Sequence, residues 1–264
     1  MSTLYSVEHK EFLKKRKRYK IAIILTQISI ITFLFIIWEI LARKGIINTF
    51  FYSSPSKVLT TVKNLFQTNS LFNHIYITIY EVIISFIIAT IIGLLTSTIL
   101  WWNKFLSKVM DPYLTILNSL PKVALGPLII IWAGASINSI IVMSLMISLI
   151  ITIINLYNAF TSTNQNYITL MKTLNATKKD IFLKVILPAN KLNIVNTLKI
   201  NMSMNFIGVI MGELLVSKEG LGYLIMYGSQ VFNINLVITS IVILGILSSL
   251  FYYLINYIEK KVIK

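Results

Sequence analysis

Three long stretches of this chain contain no Asp, Glu, Lys or Arg, and they limit the fold more than any other feature. They are Val82–Asn103, Val123–Met171 and Gly220–Ile258. The apolar core of a bilayer is about 30 Å thick and is crossed by about 20 helical residues, so each stretch is long enough to span it. Charged residues make up 12% of the chain, about half of the roughly 25% found in soluble proteins. We therefore predict an all-α integral membrane protein.

The spacing of the apolar runs predicts six transmembrane helices in a single domain that covers residues 1–264. A basic segment, residues 1–20, precedes the first helix and lacks the pattern of a cleaved signal peptide. Pro112, Pro121 and Pro127 lie in the third helix and indicate a bend inside the bundle. A short amphipathic helix that begins at Pro55 is predicted on the outer surface. The six predicted helices are Ile21–Ala42, Ile75–Trp102, Leu106–Trp132, Ser139–Phe160, Asn193–Val216 and Asn235–Ile258.

The excess of basic residues predicts how the chain is oriented. There are 24 Lys and Arg against 9 Asp and Glu, which gives a net charge of +15. If both termini are cytoplasmic, 18 of the basic residues lie on the inner side, five on the outer side, and Lys122 in or near a helix. Because Lys and Arg collect in cytoplasmic loops, we predict a multi-pass protein of the bacterial plasma membrane with both termini inside. The charge is thus interpreted as topology, and not as nucleic-acid binding.

The sequence offers no catalytic or metal site. It contains no Cys, and its two His residues, His9 and His74, lie far apart. The nine acidic residues are scattered and do not form the cluster that a membrane-embedded enzyme needs. We therefore predict a chain that is not an enzyme, has no catalytic or metal-binding residue, and binds no cofactor itself.

One polar and basic segment, Thr169–Pro188, separates the fourth and fifth predicted helices. In this inner loop, Asn175 tolerates left-handed backbone geometry between two short helices. Thr177 is placed to cap the second helix, with Asp180 in its first turn. Such a loop can dock on a soluble partner or rest on anionic lipid, and the residues alone leave both alternatives open. The apolar face of the second helix consists of Ile181, Phe182, Val185 and Ile186.

The inner loop resembles the signature loop of permease subunits of bacterial ABC importers. That signature reads Glu-Ala-Ala, three residues, Gly, nine residues, Ile-x-Leu-Pro, and its spacing is intact here. Leu174 and Ala176 are kept, but the triad is lost, so the charge contact of its Glu is missing. The signature positions are held by Thr169, Leu170 and Met171 for the triad, Asn175 for Gly, and Val185, Leu187 and Pro188 for the end.

Further segments resemble the nitrate, sulfonate and taurine branch of these permeases. Pro121–Gly134 is similar to its run of Pro, Ala-Leu, Pro-Leu and Trp-x-Gly, and Gly212–Tyr223 to its Ala-Glu-Leu-Leu followed by Gly-Leu-Gly-Tyr. Pro55–Glu81 is similar to the segment that enters the second helix. One departure stands out: Glu81 occupies a position at which this branch often has Arg.

The resemblance implies the permease subunit of an ATP-driven ABC importer for a small solute, an anion such as sulfonate, taurine or nitrate. It also implies three kinds of partner: a second copy in a homodimer, two cytoplasmic ABC ATPases that hold ATP and Mg²⁺, and an extracytoplasmic substrate-binding protein. One alternative is a permease for a thiamine-precursor pyrimidine or a similar metabolite. The other is an ATPase-independent secondary carrier or channel, whose midplane carboxylates and inverted halves are not evident.

Two groups of residues follow as candidate sites. Docking of the inner loop on the ATPase is predicted to place the apolar face of Ile181, Phe182 and Val185 in a groove. Glu213, an ionisable residue in a spanning helix, is predicted to act in an outer gate or structural clasp, and Glu81 to reach the interface. The docking residues are Thr169, Leu174, Asn175, Ala176, Asp180, Ile181, Phe182, Val185, Leu187 and Pro188. The gate or pathway residues are Glu213, Gly220, Gly222, Lys122, Pro121 and Pro127.

Overall fold

The computed structural model describes residues 7–262, and in this range the chain consists of helices without a β-strand. Residues 1–6 and 263–264, including the start of the predicted basic segment, lie outside it. The first six α-helices are α1 (Val7–Arg43), α2 (Thr49–Tyr52), α3 (Pro55–Gln67), α4 (Ser70–Trp102), α5 (Lys104–Ser119) and α6 (Gly126–Ala133). They are followed by α7 (Ile137–Thr161), α8 (Gln165–Thr173), α9 (Lys178–Ile181), α10 (Leu187–Ala189), α11 (Lys191–Val216), α12 (Leu221–Gln230) and α13 (Ile234–Val262).

The membrane fold is confirmed. Within residues 7–262, five helices are long and apolar enough to cross a bilayer: Glu11–Arg43, Ser70–Trp102, Ile137–Thr161, Lys191–Val216 and Ile234–Lys261. A sixth span results if α5 and the Lys122–Ala133 segment are taken together across their 84° bend. Helix α1 begins at Val7 and not at the predicted Ile21, because the Lys and Arg residues before the apolar run are good helix formers.

The predicted third helix, Leu106–Trp132, is broken into two helices. Helix α5 ends at Ser119, and Leu120 is extended because the ring of Pro121 disfavours helical geometry at the residue before it. A 3₁₀ turn, Lys122–Leu125, then leads into α6. Pro127 lies in the first turn of α6, where its missing N–H is not needed. Pro112 lies inside α5 without ending it, so the break is caused by Pro121.

Helix α7 lies between α4 and α11 and forms the centre of the bundle. Small residues allow this close packing: a Cβ added to Gly208 of α11 would come within 3.0 Å of the Ser144 Cβ. Buried polar groups also join the helices, since Ser144 Oγ donates to Asn205 Oδ1 at 2.8 Å. Asn201 Nδ2 likewise donates to Thr90 Oγ1 of α4 at 2.9 Å. The central helices are therefore held together by both packing and hydrogen bonds.

Helix α1 is attached to the bundle near its C-terminal end. The side chain of Glu39 accepts hydrogen bonds from Arg43 Nε at 2.7 Å and from the backbone N–H of Ser56 at 3.0 Å, which links α1 to α3. Helix α3 starts as predicted, with Ser54 as its N-cap and Pro55 in its first turn. Ser53 Oγ donates to Asn235 Oδ1 at 2.7 Å and thereby connects this outer segment to α13.

We predict that Gly208→Ala destabilises the bundle, because the added methyl group would push α11 away from α7. Overpacking of this kind costs about 1–3 kcal/mol, which should lower the melting temperature in detergent. Gly245→Ala is the matched control, since a Cβ at Gly245 of α13 meets no atom within 4 Å. An unchanged melting temperature in Gly208→Ala would contradict the close approach of α7 and α11.

Candidate functional site

The inner loop has a defined local structure in which each turn has a cause. Asn175 separates α8 from α9 and takes a positive φ of 54°. Thr177 caps α9: its Oγ1 accepts the N–H of Asp180 at 3.2 Å, and the Asp180 carboxylate accepts the N–H of Thr177 at 3.3 Å. The hydrogen bond from Lys184, together with that from the Thr177 hydroxyl, lowers the pKa of Asp180 to about 2. Asp180 is therefore ionised at neutral pH, and this capping is lost only in strong acid.

The apolar face of the second loop helix packs against its own chain. Ile181, Phe182 and Ile186 are buried together with Leu156 and Phe160 of α7, and we call these five residues the inner cluster. The Phe182 ring lies 5.0 Å from the ring of Trp101 and 5.5 Å from that of Phe160, measured between centroids. The aromatic residues at the inner ends of α4 and α7 thus cover this face. The prediction that Ile181 and Phe182 enter a partner's groove is wrong for this reason.

Helix α8 presents a different apolar surface. Tyr167, Leu170 and Leu174 are each more than half exposed and follow one another at helical spacing, and we call them the α8 stripe. Ile168 and Met171 lie on the opposite side of α8 and pack against the inner cluster. Sequence reasoning missed the stripe because Leu170 was considered only as a replacement in the signature triad. The spacing of the three residues was the signal that could have revealed it.

The remaining predicted docking residues are spread around the loop. Thr169, Asn175 and Pro188 are exposed, whereas Ala176 and Leu187 pack partly against the inner cluster and Val185 is half-buried. The loop is held firmly, because the buried Asn190 donates from Nδ2 to Thr163 Oγ1 at 2.7 Å and to the carbonyl of Ile186 at 2.9 Å. Lys178 Nζ also donates to the carbonyl of Trp102 at the end of α4.

At the opposite end of the bundle, side chains of two other helices bind the N-terminus of α12. The first N–H groups of an α-helix have no partner within the helix. Here the N–H of Gly220 donates to His74 Nδ1 at 3.0 Å, and the N–H of Leu221 donates to Thr78 Oγ1 at 2.9 Å. The N–H of Gly222 donates to the Glu213 carboxylate. We call His74, Thr78 and Glu213 the α12 cap.

Glu213 is the central member of the α12 cap and is 1% exposed. Its Oε1 also accepts the hydroxyl of Thr78 at 2.6 Å, so the carboxylate joins α4, α11 and α12. Gly220 has a φ of 104°, and a Cβ at this position would lie 2.6 Å from Glu213 Oε2. A Cβ at Gly222 would lie 2.7 Å from the Cβ of Glu213. Both glycines are therefore required for the carboxylate to reach the helix N-terminus.

Glu81 also lies at this end of the bundle and is 1% exposed. Its carboxyl group is a neighbour of the Glu213 carboxyl, because Thr78, one turn earlier on the same face of α4, donates to Glu213 Oε1 at 2.6 Å. The prediction that Glu81 reaches the membrane interface is wrong. Glu81 lies on the side of α4 that packs against α11, and it is therefore buried inside the bundle. Thr78, three residues earlier, shares that face.

The predicted gate residues do not form one site. Glu213, Gly220 and Gly222 meet at the α12 cap, whereas Pro121, Lys122 and Pro127 lie at the break between α5 and α6. Lys122 is half-buried there, and its Nζ donates to Asn118 Oδ1 at 3.3 Å. Within the part of the chain that the structure describes, no group of three or more His, Cys, Asp or Glu is placed to hold a metal ion.

The spanning helices define an integral membrane protein, and a family match identifies it as a transport component. Residues 89–264 match the model of the family described as the binding-protein-dependent transport system inner membrane component. This match covers more than half of the chain, and the chain therefore belongs to that family. It is the permease subunit of an ABC importer, and it is not an enzyme, as predicted.

Known relatives agree with the family and extend over most of the chain. A putative aliphatic sulfonates transport permease, SsuC of Bacillus subtilis, is 26% identical over 86% of this chain and 83% of its own length. The formylaminopyrimidine transport permease ThiX of Halalkalibacterium halodurans is 30% identical over 72% of this chain and 75% of its own. An inward-facing structure of the MetNI methionine ABC transporter matches with a TM-score of 0.66 and 21% identity, over 74% of this chain and 97% of the other. This last likeness shows the fold.

We predict that Glu213→Gln weakens the α12 cap. The neutral amide carries no charge toward the N–H groups of α12, and a hydrogen bond to a charged group contributes about 1.5–3 kcal/mol. The melting temperature in detergent should fall accordingly. Glu11→Gln is the control, since Glu11 is an exposed acid near the start of α1 and lies outside the cap. Equal melting temperatures for the two variants would exclude a structural role for the Glu213 charge.

Proposed function

We propose that this chain forms the membrane pathway of an importer for a small organic anion of the sulfonate type, together with a second copy of itself. The observation that carries the proposal is the inner loop, a rigid cytoplasmic knob with an exposed apolar stripe. Such a surface suits a soluble partner that supplies energy. The positive-inside distribution of Lys and Arg supports cytoplasmic termini, with the α12 cap then on the outer side.

The α8 stripe is proposed to dock on the ATPase. An apolar stripe with residues at helical spacing is a common form of helix-in-groove recognition. The inner cluster fixes α8 to the ends of α4 and α7, so a force applied to the stripe reaches the spanning helices directly. Thr169 and Asn175 lie beside the stripe and are exposed, which keeps them in the proposed interface.

The broken third span supports a pairing of two copies. The turn around Pro121 leaves backbone groups without helical hydrogen bonds, and such groups are tolerated at membrane depth only against protein or a water-filled cavity. Most of α5 is uncovered by its own chain, and Ile131 and Trp132 of α6 are about three quarters exposed. A second copy packed on this face would cover the apolar residues and place Lys122 along a shared pathway.

Two substrate classes are supported by named relatives. Similarity to an aliphatic-sulfonate permease favours an anion, and the half-buried Lys122 at the break offers a positive charge suited to it. Similarity to a formylaminopyrimidine permease favours a pyrimidine, which carries no negative charge. Because the family works with binding proteins, delivery of either substrate by an extracytoplasmic binding protein is part of the proposal.

A charge substitution in the α8 stripe tests the docking role. Leu170→Asp combined with Leu174→Asp should abolish co-purification of a P-loop ATPase in mild detergent and lower uptake at least tenfold, because charges cannot enter an apolar groove. The amount of permease in the membrane should stay unchanged. Leu183→Asp is the control, since Leu183 is an exposed apolar residue of the same loop outside the stripe. Retention of the ATPase by the double variant would refute docking through α8.

Replacement of Lys122 separates the two substrate classes. Lys122→Gln should reduce uptake of an alkanesulfonate about tenfold or more, since the pathway would lose its positive charge, and should leave uptake of a neutral pyrimidine unchanged. Uptake is measured in vesicles that contain the assembled complex, with Lys108→Gln, an exposed inner-side residue, as the control. A complex that carries the pyrimidine and ignores sulfonates would overturn the anion assignment.

A further inference from the structure

Glu81 and Glu213 form a buried carboxyl pair that the transport function does not explain. Each is 1% exposed, and Thr78, one turn before Glu81 on the same face of α4, donates to Glu213 Oε1 at 2.6 Å, so the two carboxyl groups are buried as neighbours. Two ionised carboxylates at this separation would repel strongly where water is excluded. A carboxylate oxygen has no hydrogen to donate, so the contact needs a proton or a cation between the two groups.

The hydrogen-bond donors identify which carboxyl is ionised. Glu213 accepts the hydroxyl of Thr78 and the N–H of Gly222, and it faces the positive end of α12. Glu81 accepts no such hydrogen bond from the part of the chain that the structure describes. Its Oε2 has no hydrogen-bond partner within residues 7–262, and neither has Ser85 Oγ one turn later on α4. Donors and helix dipole thus favour the negative charge on Glu213 and leave Glu81 as the neutral acid.

The hydroxyl of Thr78 cannot supply the missing proton. Its Oγ1 accepts the N–H of Leu221 at 2.9 Å, and its single hydrogen points to Glu213 Oε1 at 2.6 Å. The chain of hydrogen bonds therefore runs from α12 through Thr78 to Glu213. The remaining contact of Glu213, with Glu81, is a hydrogen bond only if Glu81 carries the hydrogen.

Within residues 7–262, no basic side chain forms an ion pair with either carboxyl group, and Lys199 of α11 pairs with Glu259 instead. On α4, His74 Nδ1 accepts the N–H of Gly220, and the His74 ring stacks on Tyr223 of α12 at 6.0 Å. In the linker before α12, Lys218 and Glu219 are exposed to solvent. Tyr227 is the other titratable residue of α12. The titratable residue of α7 is Tyr157, and α3 carries Lys57 and Lys63. In α13, the acidic residue and the lysines lie at the C-terminal end, from Glu259 onward.

We propose that the Glu81–Glu213 pair is a binding site for a single proton, held by Glu81 and donated to Glu213. The bound proton turns a repulsion between α4 and α11 into a hydrogen bond and so keeps both helices against α12. Removal of the proton leaves two buried negative charges, which separate the helices. Closure of this end of the bundle is thus favoured at lower pH and opposed as the pH rises. His74 acts in the opposite sense, because its protonation at Nδ1 would remove the acceptor of the Gly220 N–H.

Infrared spectroscopy of the purified protein at pH 7 detects the proton directly. A protonated carboxylic acid has a carbonyl stretching band that ionised carboxylates lack and that shifts in D₂O. The wild type should show this band, Glu81→Gln should lose it, and Glu219→Gln should keep it. A wild type without the band, or a Glu81→Gln variant that retains it, would overturn the proposal.

Thermal stability gives an independent test. The melting temperature of the wild type should fall by about 3 °C or more between pH 7 and pH 10. Glu81→Gln, whose amide N–H replaces the proton, should lose this difference. A wild-type melting temperature that instead rises with added Na⁺ at constant pH, and no longer does so in Glu81→Gln, would show a cation in place of the proton. If Glu81→Gln fails to fold, the wild type alone provides the test. Its carbonyl stretching band must then disappear over the same pH range in which its melting temperature falls. A band that persists through this range would refute the proton site.

Discussion

The carboxylate of Glu213 at the N-terminus of α12 is the interaction on which one end of the bundle depends. Helix α12 is ten residues long, and its first N–H groups need acceptors that a membrane does not supply. Glu213 of α11, with Thr78 and His74 of α4, provides them. A single buried charge thereby fixes the relative positions of three helices. It also makes Gly220 and Gly222 necessary, since any side chain there would occupy the space of the carboxylate.

A second constraint is the break at Pro121, which the membrane alone would not tolerate. The turn exposes backbone groups between two helices that meet at 84°. Such a turn is stable at membrane depth only beside another protein surface or water. In the proposed function, the break supplies a surface for a second copy and places Lys122, a polar residue, in an apolar bundle. Under that proposal, assembly of the two copies and passage of the solute depend on the same local irregularity.

Much of this arrangement can be predicted from the sequence, because it is encoded locally. Uncharged runs give the spans, Asn175 and Thr177 give the geometry of the inner loop, and proline marks the broken span. The apolar face of Ile181 and Phe182 was assigned to a partner because spacing shows that a face is apolar but not what covers it. Glu81 was misplaced for a similar reason: its depth along α4 follows from the sequence, but its neighbour on α11 depends on how the helices are rotated against each other.

The two ends of the bundle are mechanically connected through α4 and α11. At the inner end, Trp101 of α4 packs on Phe182 of the loop that continues into α11. At the other end, Thr78 of α4 and Glu213 of α11 share a hydrogen bond. Because α7 is packed tightly between these helices, we expect a displacement of the inner loop to be transmitted along them. It would then reach the α12 cap, where the proposed carboxyl pair makes separation of the helices dependent on one proton.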